Sequence, residues 1–188
     1  MRRFAVALLV AGCAPDLRVD HPFDGQVSNG QLVTTQDFDG GVFLMNVDAT
    51  DKNSQVFVDL DQGREMKADE AFSTNGWDLA FKRYEVAMNG GAGNPTGLVQ
   101  ALMLDGQDFD ALTQAPAGGY SQDATAQVIG GTWWDYDLLA HKVMVHPNRI
   151  YVVISSDQAY FKLKMLDYYD SAGTPAAIAL EYGRVVAP

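Results

Sequence analysis

The chain has 188 residues, with 24 acidic side chains against 13 basic ones and a formal net charge of −11. That balance repels nucleic-acid phosphates and anionic headgroups, which sets both aside as partners. An apolar content of 47% suits one domain with a sizeable core and argues against global disorder, and a single cysteine rules out an internal disulfide or a cysteine metal cluster.

The N-terminus reads as an export signal. Arg2 and Arg3 precede an apolar run from Phe4 to Val10, followed by Ala11-Gly12-Cys13. The run falls short of the roughly 20 residues that a permanent membrane helix needs. Val10-Ala11-Gly12-Cys13 looks like a lipobox, so residues 1–12 are expected to be a signal peptide and Cys13 the acylated anchor. Cleavage there removes two basic residues and takes the net charge to −13. Ala14 stands where an Asp would retain a lipoprotein at the inner membrane, which points to the outer membrane or cell surface. Residues 13–30 contain two prolines and no sustained period, and read as the acylated Cys and a flexible tether; His21 lies in it and is expected to be solvated.

From Gln31 onward the signals are strand signals. Leu32 to Thr35 and Val42 to Val47 are short β-rich runs parted by Asp39-Gly40-Gly41, and Gln55 to Leu60 closes on Asp61-Gln62-Gly63. In Trp77 to Tyr84, Trp77, Leu79 and Phe81 alternate with Asp78, Ala80 and Lys82, which predicts a half-buried strand. A glycine-rich stretch from Asn89 to Pro95 precedes Leu98 to Leu104, either strand or short helix, and loop residues follow to about Asp123. Ile150 to Ser155 and Ala159 to Tyr168 predict a hairpin, with Tyr160, Lys162 and Lys164 alternating with Phe161, Leu163 and Met165. Ala176 to Tyr182 supplies a third strand. No long stretch has sustained helical spacing. The expected fold is all-β, a single antiparallel domain with long loops over residues 31–188.

Few residues suggest chemistry. Asp59-Leu60-Asp61-Gln62-Gly63 with Glu70 imitates part of a calcium loop, but Arg64 stands where the sharp turn needs Gly and Lys67 adds a positive charge. Solvated hairpin acids are the expectation there. His141 and His146 are five apart, so on a strand they take opposite faces and cannot share a metal: His141 goes with Val143 and Val145, His146 with Met144. The sequence shows no carboxylate–His zinc motif, nucleophile elbow or phosphate-binding Gly loop, and no enzyme is expected. Met88, Met103, Met144 and Met165 lie in or beside β segments, where methionine fills cores or, from a loop, can ligate a haem iron. Trp133, Trp134 and Tyr136 can pack in a core or flank a porphyrin.

Several separated motifs together resemble the HmuY family of haem-binding bacterial lipoproteins. They are Val56 to Gly63, Trp77-Asp78-Leu79-Ala80-Phe81-Lys82-Arg83-Tyr84-Glu85-Val86, Asn89-Gly90-Gly91, Trp133, Asn148 to Val153, Lys162-Leu163-Lys164, Asp167 to Asp170 and the last strand to Tyr182. The resemblance runs in order from Ser54 to Tyr182. It implies an all-β domain that grips haem between loops and works beside a TonB-dependent outer-membrane receptor. This chain departs from the pattern at the ligands. Gly119 to Thr132, where one axial ligand is expected, holds neither His nor Met, and Leu138 stands where the second is expected. Haem ligation therefore requires shifted ligands: His141 first, then Met144, His146 and Met103 without a decisive order. The leading expectation is a surface-anchored lipoprotein that captures haem or porphyrin. The alternative is a lipoprotein of the same fold that binds another ligand or a protein partner.

Overall fold

A computed structural model describes residues 31–188; the expected signal peptide, Cys13 and the tether with His21 lie outside the described residues. The expected all-β architecture is what the chain adopts. Among the described residues, twelve strands form a six-stranded, a four-stranded and a two-stranded sheet in which every pair of strands is antiparallel, accompanied by one short helix.

The large sheet begins with a hairpin of β1 (Val33–Asp39) and β2 (Val42–Asp48). Gly40 and Gly41 turn it with positive φ, a conformation that costs glycine nothing. β12 (Pro175–Arg184) pairs with β2, and β11 (Tyr160–Tyr169), β10 (Arg149–Ile154) and β7 (Gln100–Asp105) follow in that order. The stretch left open as strand or helix is thus strand β7. The small sheet is ordered β4 (Arg64–Met66), β3 (Val56–Asp59), β5 (Leu79–Lys82), β6 (Glu85–Met88).

One face of each sheet meets in the main core. Met45, Val47, Tyr151, Val153, Leu163, Ile178 and Leu180 from the large sheet pack in one cluster with Val56, Val58, Leu79, Phe81, Val86 and Met88 from the small one. Each such side chain gains roughly 1.5–3 kcal/mol on burial, which is why the alternation in the sequence is so clear here. It misleads at one place. Trp77, Leu79 and Phe81 are all buried, but Trp77 packs with Phe57, Met66, Ala71 and Ala80 in a second cluster, under helix α1 (Ala68–Thr74). The strand was expected to be half-buried; α1 covers its other face, so both faces are buried. The polar face read on β11 is covered at Lys162, while Tyr160 and Lys164 stay partly exposed. Lys162 is buried beneath the 106–117 loop, donating to the Phe109 carbonyl at 2.7 Å with its ammonium 4.5 Å from the Phe109 ring centroid.

Candidate functional site

The two-stranded sheet carries most of the residues singled out by the sequence. It is a hairpin of β8 (Trp134–Asp137) and β9 (Lys142–Val145), closed by Leu138-Leu139-Ala140-His141. Asp137 builds the turn: its Oδ1 accepts the backbone N–H of Leu139 at 2.8 Å and of Ala140 at 3.0 Å. Those two bonds hold the Asp137 carboxyl below the usual range, that from Ala140 acting more strongly. His141 ends the turn at φ 53°, in the left-handed region.

The pairing fixes the faces. Trp134 lies opposite Val145 and Tyr136 opposite Val143, so these four share the face turned to the domain, while Asp135 and Met144 share the other. The first face is fastened at several points. Val143 is buried and donates its N–H to the Tyr169 hydroxyl at 2.9 Å, and Trp134 packs on Tyr84 with ring centroids 4.9 Å apart. Just before the hairpin, Trp133 is only 1% exposed; its indole N–H donates to the Tyr84 carbonyl at 3.0 Å and its ring lies against Tyr168. Trp133 is therefore a core side chain with no free face for a porphyrin, because the chain enters the hairpin directly from the core.

The tip is apolar and open. Leu138 is 76% and Leu139 94% exposed, with Tyr136 and Met144 about half exposed. Tyr136 and His141 face one another, hydroxyl to Nδ1 at 3.5 Å, on the face that alternation assigns to His141. His146 sits at the base on the other side, Nε2 3.5 Å from a carboxylate oxygen of Asp135, on the face of Met144. Five residues of extended chain span roughly 16 Å, so His141 and His146 cannot both ligate one iron.

Met103 lies apart on β7, the edge of the large sheet, opposite Tyr151 and two residues from Asp105. Arg149 binds Asp105 at 2.7 Å and also reaches the Thr132 carbonyl. The Asp105 carboxyl is held low by Arg149 first and His146 last, so His146 belongs to this end of the sheet edge. The four ligand candidates thus divide into a tip (His141), a hairpin flank (Met144, His146) and a sheet edge (Met103). Met88 and Met165, by contrast, are core.

Residues 51–137 match the family model described as HmuY protein. This stretch of the chain is similar to the HmuY family. The match ends at Asp137, the last residue of β8, so it includes Met103, Trp133, Trp134 and Tyr136 and stops before His141, Met144 and His146. Solved structures agree on the fold. A candidate HmuY-like haem-binding protein of Bacteroides vulgatus aligns with a TM-score of 0.60 at 19% identity, over 81% of this chain and 96% of its own. An apo HmuY analog of Tannerella forsythia gives 0.61 at 15%, over 81% and 96%. A candidate lipoprotein of Bacteroides fragilis gives 0.57 at 20%, over 79% and 91%. No curated protein matches the chain.

Sequence reasoning missed three features. Tyr84, which carries Trp134 on its ring, came out as the end of a strand. The Leu138-Leu139 pair is signalled only by two apolar residues inside a turn. Asp123 was placed at the end of a loop, yet its carboxylate accepts the N–H groups of Met88 and Val128, both at 2.8 Å, and so pins the segment leading to Trp133.

Proposed function

We propose that this protein is a HmuY-type, surface-anchored lipoprotein that binds haem or a related porphyrin at the β8–β9 hairpin, for uptake and without catalysis. The observation that carries the reading is the tip: Leu138, Leu139 and Tyr136 exposed around the imidazole of His141. An apolar macrocycle gains from covering such side chains, and its iron takes an imidazole. Because the tip and the base of the hairpin are too far apart for one iron, His141 serves as a single protein ligand, with Met144, His146 and Met103 ranked behind it. Tyr136 and Trp134 offer ring contacts from the same face of the hairpin. The Bacteroides vulgatus relative, a candidate haem-binding protein, supports the ligand class.

The rest of the reading comes from the first residues. Residues 1–12 act as the signal peptide, Cys13 takes the acyl chains and residues 13–30 tether the domain of residues 31–188 to the outer membrane. A TonB-dependent receptor is the partner that would accept the haem. Among the described residues no helix is long and apolar enough to cross a membrane.

A second reading has an observation of its own. Cavities of about 570 and 520 Å³ lie elsewhere, the first lined by Lys162 and Arg184 among others, the second by Asp108, Asn148 and Lys164. The hairpin offers open surface, and an open apolar patch also suits a protein partner without haem ligation. Thermal unfolding with ferric haem and with iron-free protoporphyrin separates the two. A ligand that binds only the native state at a hundredfold excess over its dissociation constant adds about 2.7 kcal/mol. The proposed function predicts a higher melting temperature with haem and a smaller rise with protoporphyrin. An unmoved curve with both removes haem and leaves the protein-partner reading.

A further inference from the structure

The turn between β3 and β4 holds a cluster that the hairpin does not use. Asp59 ends β3, Asp61 lies in the turn and Asp78 immediately precedes β5, the strand paired with β3. One carboxylate oxygen from each lies within 4.8 Å of the other two. Asp59 and Asp61 are not the solvated acids that the sequence suggests: Asp59 is 4% exposed and the Asp61 side chain 7%, and Asp78, from outside that loop, is 0% exposed. The pairing of β3 with β5 brings in Asp78 from a site seventeen residues further along the chain than Asp61, which no reading of a contiguous loop would include. Glu70, the residue that a contiguous calcium loop would use, instead binds Arg64 at 2.6 Å.

The carboxylates keep capacity to spare. Asp78 accepts the N–H groups of Leu60 at 2.7 Å and Ser156 at 2.6 Å, and Asp59 that of Gln62 at 2.9 Å. Each ionised carboxylate has about four lone-pair sites. Asp61 binds Arg184 through Oδ1 at 2.7 Å, while its Oδ2 is buried with no hydrogen-bond partner. A buried, ionised oxygen without a donor is costly, and two guanidiniums, Arg184 at Asp61 and Arg64 near Asp59, the latter also paired with Glu70, do not balance the acids here.

We infer that Asp59, Asp61 and Asp78 form a binding site for a single calcium ion, with the free Oδ2 of Asp61 as one of its ligands. Calcium is the cation that this geometry fits. It takes oxygen ligands in irregular arrangements, whereas magnesium demands a near-ideal octahedron and sheds its water reluctantly. The ion clamps the β3–β4 turn to β5 and, through Asp78 and Ser156, to the turn between β10 and β11.

The test is calorimetric titration of the purified, chelator-treated protein with calcium chloride, beside melting curves in calcium, magnesium and EDTA. The expected result is one calcium per chain, and a melting temperature raised in calcium above its value in both magnesium and EDTA. Asp61→Asn, which keeps the size of the side chain, should weaken binding at least tenfold. Absence of calcium heat together with unchanged melting overturns the site, as does a folded Asp61→Asn protein that binds within tenfold of the wild type. Should that variant fail to fold, terbium decides with the unaltered protein. Tyr182, whose hydroxyl is pushed up first by burial and further by the nearby charges of Asp59 and Asp61, should sensitise terbium emission that calcium quenches by competition. No sensitised emission, or emission indifferent to calcium, overturns the site as well.

Discussion

Asp123→Ala probes how the hairpin is held. Asp123 is 4% exposed and lies in a segment with few ladder bonds of its own; its two carboxylate oxygens take the N–H of Met88, on β6, and that of Val128. Removing the carboxylate orphans both donors at about 1–3 kcal/mol each, and less where water reaches Val128, so a loss of about 2–4 kcal/mol is expected. The pH dependence carries the sharper signature. Burial raises the Asp123 carboxyl above its ordinary value of 3.8, outweighing the two hydrogen bonds that lower it. The folded state therefore holds this proton more tightly than the unfolded chain. The stability that it brings is complete below about pH 4 and is lost as pH rises through the raised folded value. Urea unfolding at several pH values from 4 to 8, in EDTA, should show the wild type ahead of Asp123→Ala at every pH, with the gap widest at the acidic end. A gap that widens as pH rises would refute the reasoning, since it would mean that the hydrogen bonds to the ionised form outweigh burial.

Three other substitutions follow from the same geometry. Trp133→Ala should cost about 3–5 kcal/mol in urea unfolding, as a large core truncation does; a cost below about 1 kcal/mol would mean that the indole is not packed as described. Gly91→Ala combines a φ of 60° with a Cβ driven into the Asp123 carbonyl, and should destabilise by about 2 kcal/mol or more; a neutral result by thermal melting would contradict that close approach. Cys13→Ser should abolish incorporation of radioactive palmitate and leave an uncleaved or soluble form, and labelling that persists would clear Cys13 of the anchoring role.

The sequence revealed the fold where burial is one-sided and failed where coverage comes from far along the chain. The β10–β11 hairpin and β12 were readable because Phe161, Leu163 and Met165 repeat with period two. The cover on the other face of β11 was not, since Phe109 reaches Lys162 across 53 positions. Trp77 shows the same limit. Its alternation with Leu79 and Phe81 implies one face, yet α1, too short to announce itself by periodicity, draws it to the opposite side. At the candidate site, period two placed Met144 and His146 together and His141 apart, as the pairing of β8 with β9 has it. What no pattern could supply was depth: Trp133 and Trp134 are neighbours in sequence, one sealed in the core and the other on the hairpin. The acidic trio stayed hidden because Asp78 joins Asp59 and Asp61 only through strand pairing.

In the proposed function, an iron porphyrin binds this domain through His141. The most direct measurement is the absorption spectrum of ferric haem titrated into the wild type, His141→Ala and His146→Ala. Imidazole donates directly to the iron, so ligation sharpens and shifts the Soret band. A saturable shift is expected in the wild type at one haem per chain, most of it lost in His141→Ala and retained in His146→Ala. A flat titration, or a shift that His141→Ala leaves intact, would contradict it.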